Sequence, residues 1–205
     1  MTYEECLKIF GIRDVQDLPR AALEVVLGEE ERRHDVYREL LRVNNYDVGQ
    51  DWFQEIYEAE MSEGKRKGQH FTPPEIYRLV SLLVGDGNGE VTSDPTENGG
   101  GTDGVRRVHE PTAGTGGLII GDWWRKCRGV NPWRWQPWKN VYVAWELSDR
   151  AVPLLLLNMS IRGIHGVVYH GDVLEKTVYA KYIVYNETNN FIGFSKVKRV
   201  TPEEL

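Results

Sequence analysis

The chain has 205 residues and a formal net charge of −6, from 25 Lys and Arg against 31 Asp and Glu. That length suits one domain, or one domain with a small helical attachment. Hydrophobic residues at 40%, with seven Trp, ten Tyr and five Phe that must pack somewhere, exclude a chain disordered throughout.

The chain opens on an acidic stretch, Met1-Thr2-Tyr3-Glu4-Glu5, which does not read as a signal peptide. Residues 1–63 read as a helical segment. Tyr3–Phe10, Leu18–Leu27, Val36–Val43 and Trp52–Tyr57 each carry apolar residues three and four apart. Asp51 stands where an N-cap belongs. This segment holds 16 acidic and 7 basic residues, whereas residues 64–205 hold 15 acidic and 18 basic. The second part can therefore approach phosphate while the first faces away. The charge run Glu29–Arg33 reads as a solvated helix face.

A basic stretch, Gly64-Lys65-Arg66-Lys67-Gly68-Gln69-His70, leads to Phe71-Thr72-Pro73-Pro74. Thr72 is placed to cap a helix whose apolar face is Ile76, Leu79, Val80 and Leu83. Residues 85–104, with seven Gly, cannot bury a core and read as a mobile loop inserted into an α/β domain spanning 64–205.

From Gly104 onward strands and helices alternate. Val105–His109, Val141–Trp145, Val167–Tyr169 and Tyr182–Tyr185 read as strands, with helices over Gly116–Cys127 and Arg150–Ile161. Such alternation implies parallel pairing. The apolar run Val152–Leu157 falls far short of the ~18 residues of a membrane span. Cys6 and Cys127 form neither a disulfide framework nor a metal quartet, the five His have no metal spacing, and no metal is expected. Two lone thiols fit a reducing cytoplasm.

Three sites fall at C-terminal strand ends, the edge where open α/β sheets bind ligands. The first is Glu110-Pro111-Thr112-Ala113-Gly114-Thr115-Gly116-Gly117, between a strand and a helix. Its glycines permit a sharp turn and close backbone approach, and the helix behind offers free N–H groups. The second is Glu146, an acid placed to take both hydroxyls of a ribose. The third is His170-Gly171-Asp172, whose carboxylate suits either an adenine amine or a turn.

Taken together, these residues resemble the catalytic domain of the adenine-N6 DNA methyltransferases. The likeness runs to the modification subunit of type I restriction systems and to short phage-type DNA methylases. It spans roughly residues 50–186. Gln69-His70-Phe71-Thr72-Pro73 resembles the family segment that touches the methionine part of S-adenosylmethionine. Glu110–Gly117 resembles the Asp-Pro-x-x-Gly-x-Gly-Gly loop, with Glu for Asp. Glu146 resembles the ribose-binding acid and Gly171-Asp172 the adenine-binding pair. The resemblance implies S-adenosyl-L-methionine as cofactor, held by Gln69, Phe71, Thr72, Glu110, Pro111, Ala113, Gly114, Gly116, Gly117, Glu146 and Asp172.

The family's Asn/Asp-Pro-Pro-Tyr/Phe motif ends its fourth strand, where this chain has Tyr185-Asn186-Glu187-Thr188-Asn189-Asn190-Phe191. The resemblance makes Asn186 the residue that accepts from the target amine, and Phe191 (or Tyr185) the candidate for stacking on a flipped adenine. Both prolines are missing, and a polar loop without catalytic duty is the alternative. The chain reaches Leu205 soon after this strand. The expected fold is a Rossmann-like methyltransferase core with a truncated parallel sheet and an N-terminal helical segment.

The implied function is S-adenosylmethionine-dependent methylation of adenine N6 in DNA, in a restriction-modification or phage-type setting. The alternatives are an inactive module that binds cofactor, DNA or a restriction-modification partner, and one half of a split enzyme. Trp123, Trp124, Trp133, Trp135 and Trp138, interleaved with Arg and Lys, suit either core packing or stacking on nucleic acid. Lys196, Lys198 and Arg199 suit either phosphate contacts or solvated charge.

Overall fold

The computed structural model describes residues 1–61 and 104–201. Three helices open the chain: α1 (Tyr3–Phe10), α2 (Leu18–Leu27) and α3 (Glu30–Val43). Thr2 and Glu5 form a capping box at the start of α1, and Gly11 ends it in the left-handed conformation that glycine adopts without a Cβ penalty. Pro19 in the first turn of α2 costs no helical hydrogen bond. The run Glu29–Arg33 is not wholly solvated, because Arg33 is buried and donates to the Gly28 carbonyl. A short helix α4 (Gln54–Ile56) continues into a π-helical turn at Tyr57–Met61.

The sheet follows: β1 (Arg106–Glu110), α5 (Gly117–Cys127), β2 (Asn140–Glu146), α6 (Ala151–Ile161), β3 (His165–Asp172), β4 (Thr177–Tyr185) and β5 (Lys196–Val200). Strand order is β1-β2-β3-β4-β5. The first three strands are parallel, as their alternation with helices requires. The last two are antiparallel, β3 to β4 and β4 to β5. This corrects the expectation of a parallel sheet throughout. Only four residues separate β3 from β4, enough for a hairpin but not for the crossover that a parallel pair needs.

Connections of this kind are right-handed as a rule, which puts α5 and α6 on one face of the parallel strands. Consistent with that, Tyr142 of β2 donates to Asp122 of α5 at 2.8 Å. All eleven residues of α6 are buried. The sheet lies on one side of it and α2 on the other, so no polar stripe is needed. Tyr37 of α3 donates to Ser160 of α6 at 2.7 Å, and Ser160 in turn donates to the Ser195 carbonyl. One continuous apolar core thus runs from Cys6 through Val184.

The expected division at 63/64, the helix bearing Ile76 and Leu79, the basic run Lys65–Lys67 and residues 85–103 of the expected loop lie outside the described residues. Among the described residues, no helix is long and apolar enough to cross a membrane, and no His/Cys/Asp/Glu group could hold a metal ion.

Candidate cofactor site

The glycine turn between β1 and α5 forms as the residues demand. Gly114 and Gly116 have φ of +56° and +105°, a region closed to most side chains. A Cβ on Gly116 would also stand 2.9 Å from Leu155 of α6. Ala113 is buried and donates its N–H to the Trp145 carbonyl at 2.8 Å. Pro111 is exposed at the mouth of the turn, and Gly117 is the buried first residue of α5.

Glu146 ends β2 and is only 7% exposed. Its Oε2 accepts the Gly114 N–H at 2.7 Å and its Oε1 accepts the Ser148 N–H at 2.7 Å. Each oxygen keeps a second lone pair for a ligand hydroxyl. Glu110 pairs in register with Ala144, so strand alternation puts it on the same sheet face as Glu146. Burial pushes its carboxyl above the usual range, against a partial correction from the Thr112 N–H.

Asp172 ends β3, beyond His170, which is level with Glu146. The three acids therefore step along the C-terminal edge of three adjacent parallel strands. Asp172 also serves a turn: its Oδ1 accepts the N–H groups of Leu174 and Glu175 at 2.9 and 3.1 Å. Gly171 lies at a bulge where any Cβ would strike the Thr177 carbonyl, so this glycine has a structural cause of its own. Gln69, Phe71 and Thr72 lie outside the described residues.

Asn186 is not brought to this edge. β4 runs antiparallel, so its end at Tyr185 is level with the start of β3, where Val184 pairs with Gly166. That is the opposite rim of the sheet. Asn186 is buried there, and its amide is spent on the chain itself. Nδ2 faces the carbonyls of Gly193, Asn190 and Gly163 at 2.8, 2.9 and 3.4 Å, and Oδ1 accepts from Thr188 at 2.9 Å. Phe191 stacks on buried Trp123, with centroids 6.1 Å apart and planes 5° apart. Both residues pack a loop at the rim away from the glycine turn. Their placement follows from the β3–β4 hairpin, which reverses the direction that a parallel fourth strand would have.

The tryptophans divide. Trp123 and Trp135 are buried and Trp124 is half-buried, while Trp133 is 83% and Trp138 51% exposed. Lys196 is held in ion pairs with Glu187 at 2.7 Å and Glu30 at 3.2 Å.

Residues that the sequence reading missed surround the turn. Thr115 donates to Asp51 at 2.6 Å, and Asn158 of α6 donates to both Asp51 and the Thr115 carbonyl at 2.8 Å. Tyr57 and Ser148 share a hydrogen bond of 2.8 Å. The signal for Asn158 was present: a lone amide inside Leu154-Leu155-Leu156-Leu157-Asn158-Met159 must find partners once buried.

A glycine turn leading from a strand into a helix, with an acid ending each of three parallel strands, defines a mixed α/β protein consistent with a methyltransferase fold. The comparison with known families agrees. Residues 48–190 match the model of the N-6 DNA methylase family, more than half of the chain, and the chain belongs to that family. No curated protein and no solved structure matches it.

Proposed function

We propose that this chain binds S-adenosyl-L-methionine at the C-terminal edge of β1–β3 and serves methylation of adenine N6 in DNA. The observation that carries the reading is the union of Glu146 with the glycine turn through the Gly114 N–H. The donor set suits this cofactor. An acid at the end of β2 can take the ribose hydroxyls on its remaining lone pairs. Acids at the ends of β1 and β3 complement the cationic methionine part and the adenine amine. The two left-handed glycines let the backbone turn sharply beside that edge. When bound, the cofactor supplies an electrophilic methyl group on sulfur. Gln69, Phe71 and Thr72 belong to this proposal through the family resemblance alone.

The base-binding half is a separate question, and one observation favours a second reading. Asn186 and Phe191 are engaged at the far rim, so neither meets a base held beside the glycine turn. On that reading the chain binds cofactor, and the residues that orient the adenine amine come from a complementing methyltransferase or restriction-modification polypeptide. A soluble cytoplasmic setting fits either reading.

Calorimetric titration of the cofactor into the full chain tests the first step. Saturable one-site binding supports the proposal, and a folded protein that takes up no heat of binding overturns it. Methyl transfer to DNA by the chain alone would then remove the second reading.

A further inference from the structure

We infer that Asp51 is a positioning residue for the cofactor turn: it reaches from the helical segment and fixes Thr115, the residue between the two left-handed glycines. The inference rests on the cofactor site proposed above and extends it to residues outside the sheet.

The geometry is specific. Asp51 Oδ2 accepts the Thr115 hydroxyl at 2.6 Å, while Oδ1 accepts Asn158 Nδ2 at 2.8 Å and the Phe53 N–H at 3.0 Å. Asn158 donates also to the Thr115 carbonyl at 2.8 Å, so Thr115 is gripped at side chain and backbone. Asn158 is itself oriented by Arg162, whose Nη1 donates to its Oδ1 at 2.9 Å. Arg162 is buried, donates to the carbonyls of Val48 (2.8 Å) and Gln50, and lies 4.5 Å above the centroid of Trp52. Its guanidinium is thereby tied to the stretch that carries Asp51. Burial pushes the Asp51 carboxyl up, and the donors Thr115, Phe53 and Asn158 and the nearby Arg162 charge pull it down.

Asp51 does not take the N-cap position expected of it, because α4 starts later and its N-cap is Phe53. Its Oδ1 closes a local turn on the Phe53 N–H, and its Oδ2 is spent on a residue 64 positions away. Glu146 holds Gly114 from the sheet side, and Asp51 with Asn158 holds Thr115 from the helical side. The turn is therefore set from two directions before any ligand arrives. A preformed site spares the ligand the cost of ordering it.

The test uses the full chain as wild type, Asp51→Ala, Asp51→Asn, Thr115→Val and Asp51→Ala/Thr115→Val. Two readouts are taken: amide hydrogen exchange without ligand, and the Kd for S-adenosylhomocysteine by calorimetry. With Asp51→Ala, exchange at Gly114 and Gly116 should quicken at least about tenfold while β2 and α6 keep their protection, and Kd should rise about tenfold. Asp51→Asn, which keeps one acceptor oxygen, should recover part of both effects. The double variant should be no worse than Asp51→Ala, since Asp51→Ala already removes the contact that Thr115→Val deletes. Wild-type exchange at the turn in Asp51→Ala, or two substitutions that add independently, would overturn the inference. Should Asp51→Ala not fold, Asp51→Asn and Thr115→Val carry the same comparison. A wild-type chain that binds no S-adenosylhomocysteine overturns the proposed site, and this inference with it. A wild type that binds as tightly as Asp51→Ala overturns the inference alone.

Discussion

The Glu146 carboxylate accepts the backbone N–H of Gly114 at 2.7 Å, across 32 residues of chain. The end of β2 and the turn after β1 are thus one hydrogen-bonded unit, and the other Glu146 oxygen fixes Ser148. Ser148 is bonded in turn to Tyr57. A single carboxylate joins the turn, the acid-bearing strand end and the helical segment.

Replacing Glu146 by Ala should remove a charged acceptor from two N–H groups and from the ligand's hydroxyls. We expect cofactor affinity to fall by about 2 kcal/mol or more, roughly 30-fold. Glu146→Gln should fall between, because an amide oxygen still accepts. Calorimetry on both variants checks this, and unchanged affinity in Glu146→Ala would sink the assignment.

Asn186→Ala should behave in the opposite way. It strips the donor from the carbonyls of Asn190 and Gly193 in a buried loop. A loss of stability of about 2 kcal/mol is expected, with the Kd for cofactor unchanged. Denaturant unfolding together with calorimetry separates the two effects. A stable variant with weakened cofactor binding would restore Asn186 to the site.

Glu110 offers a test by pH. Its folded-state pKa is raised by burial, so the folded protein holds this proton more tightly than the unfolded chain does. Its stabilising contribution is full below the unfolded pKa and is lost as pH rises through the folded one. Glu110→Gln should therefore raise Tm at neutral pH, and the gain should vanish as pH falls below about 4.5, the ordinary value of such a carboxyl. If Glu110 faces the cationic part of the cofactor, the same variant should bind it more weakly. Thermal scans across pH and a single Kd measurement read the two signs.

Burial pushes both thiols, Cys6 and Cys127, up to about 12. At pH 8 roughly one in ten thousand of either would be thiolate, the reactive form. A chromogenic aromatic disulfide should find no thiol in the native chain over minutes and both after denaturation. Rapid native reaction at either cysteine would contradict the packing around it.

The sequence by itself determined the local elements and their punctuation. Helices Tyr3–Phe10 and Leu18–Leu27 are legible to the residue, because each has a complete apolar face and a terminating Gly. The glycine turn and Glu146 are legible because a strand that stops at an acid, and a turn that needs left-handed residues, leave marks at fixed spacing. What only the tertiary structure decided is direction and long-range partnership. Whether the strand ending at Tyr185 runs with or against β3 depends on a four-residue connection closing as a hairpin, and that choice carries Asn186 to the opposite rim. Asp51 reads as an ordinary cap, because a carboxylate shows its first, local partner in the sequence and not its second. The second, Thr115, is reached only when the helical segment packs on α6 and burial leaves the carboxylate to find its donors within the chain.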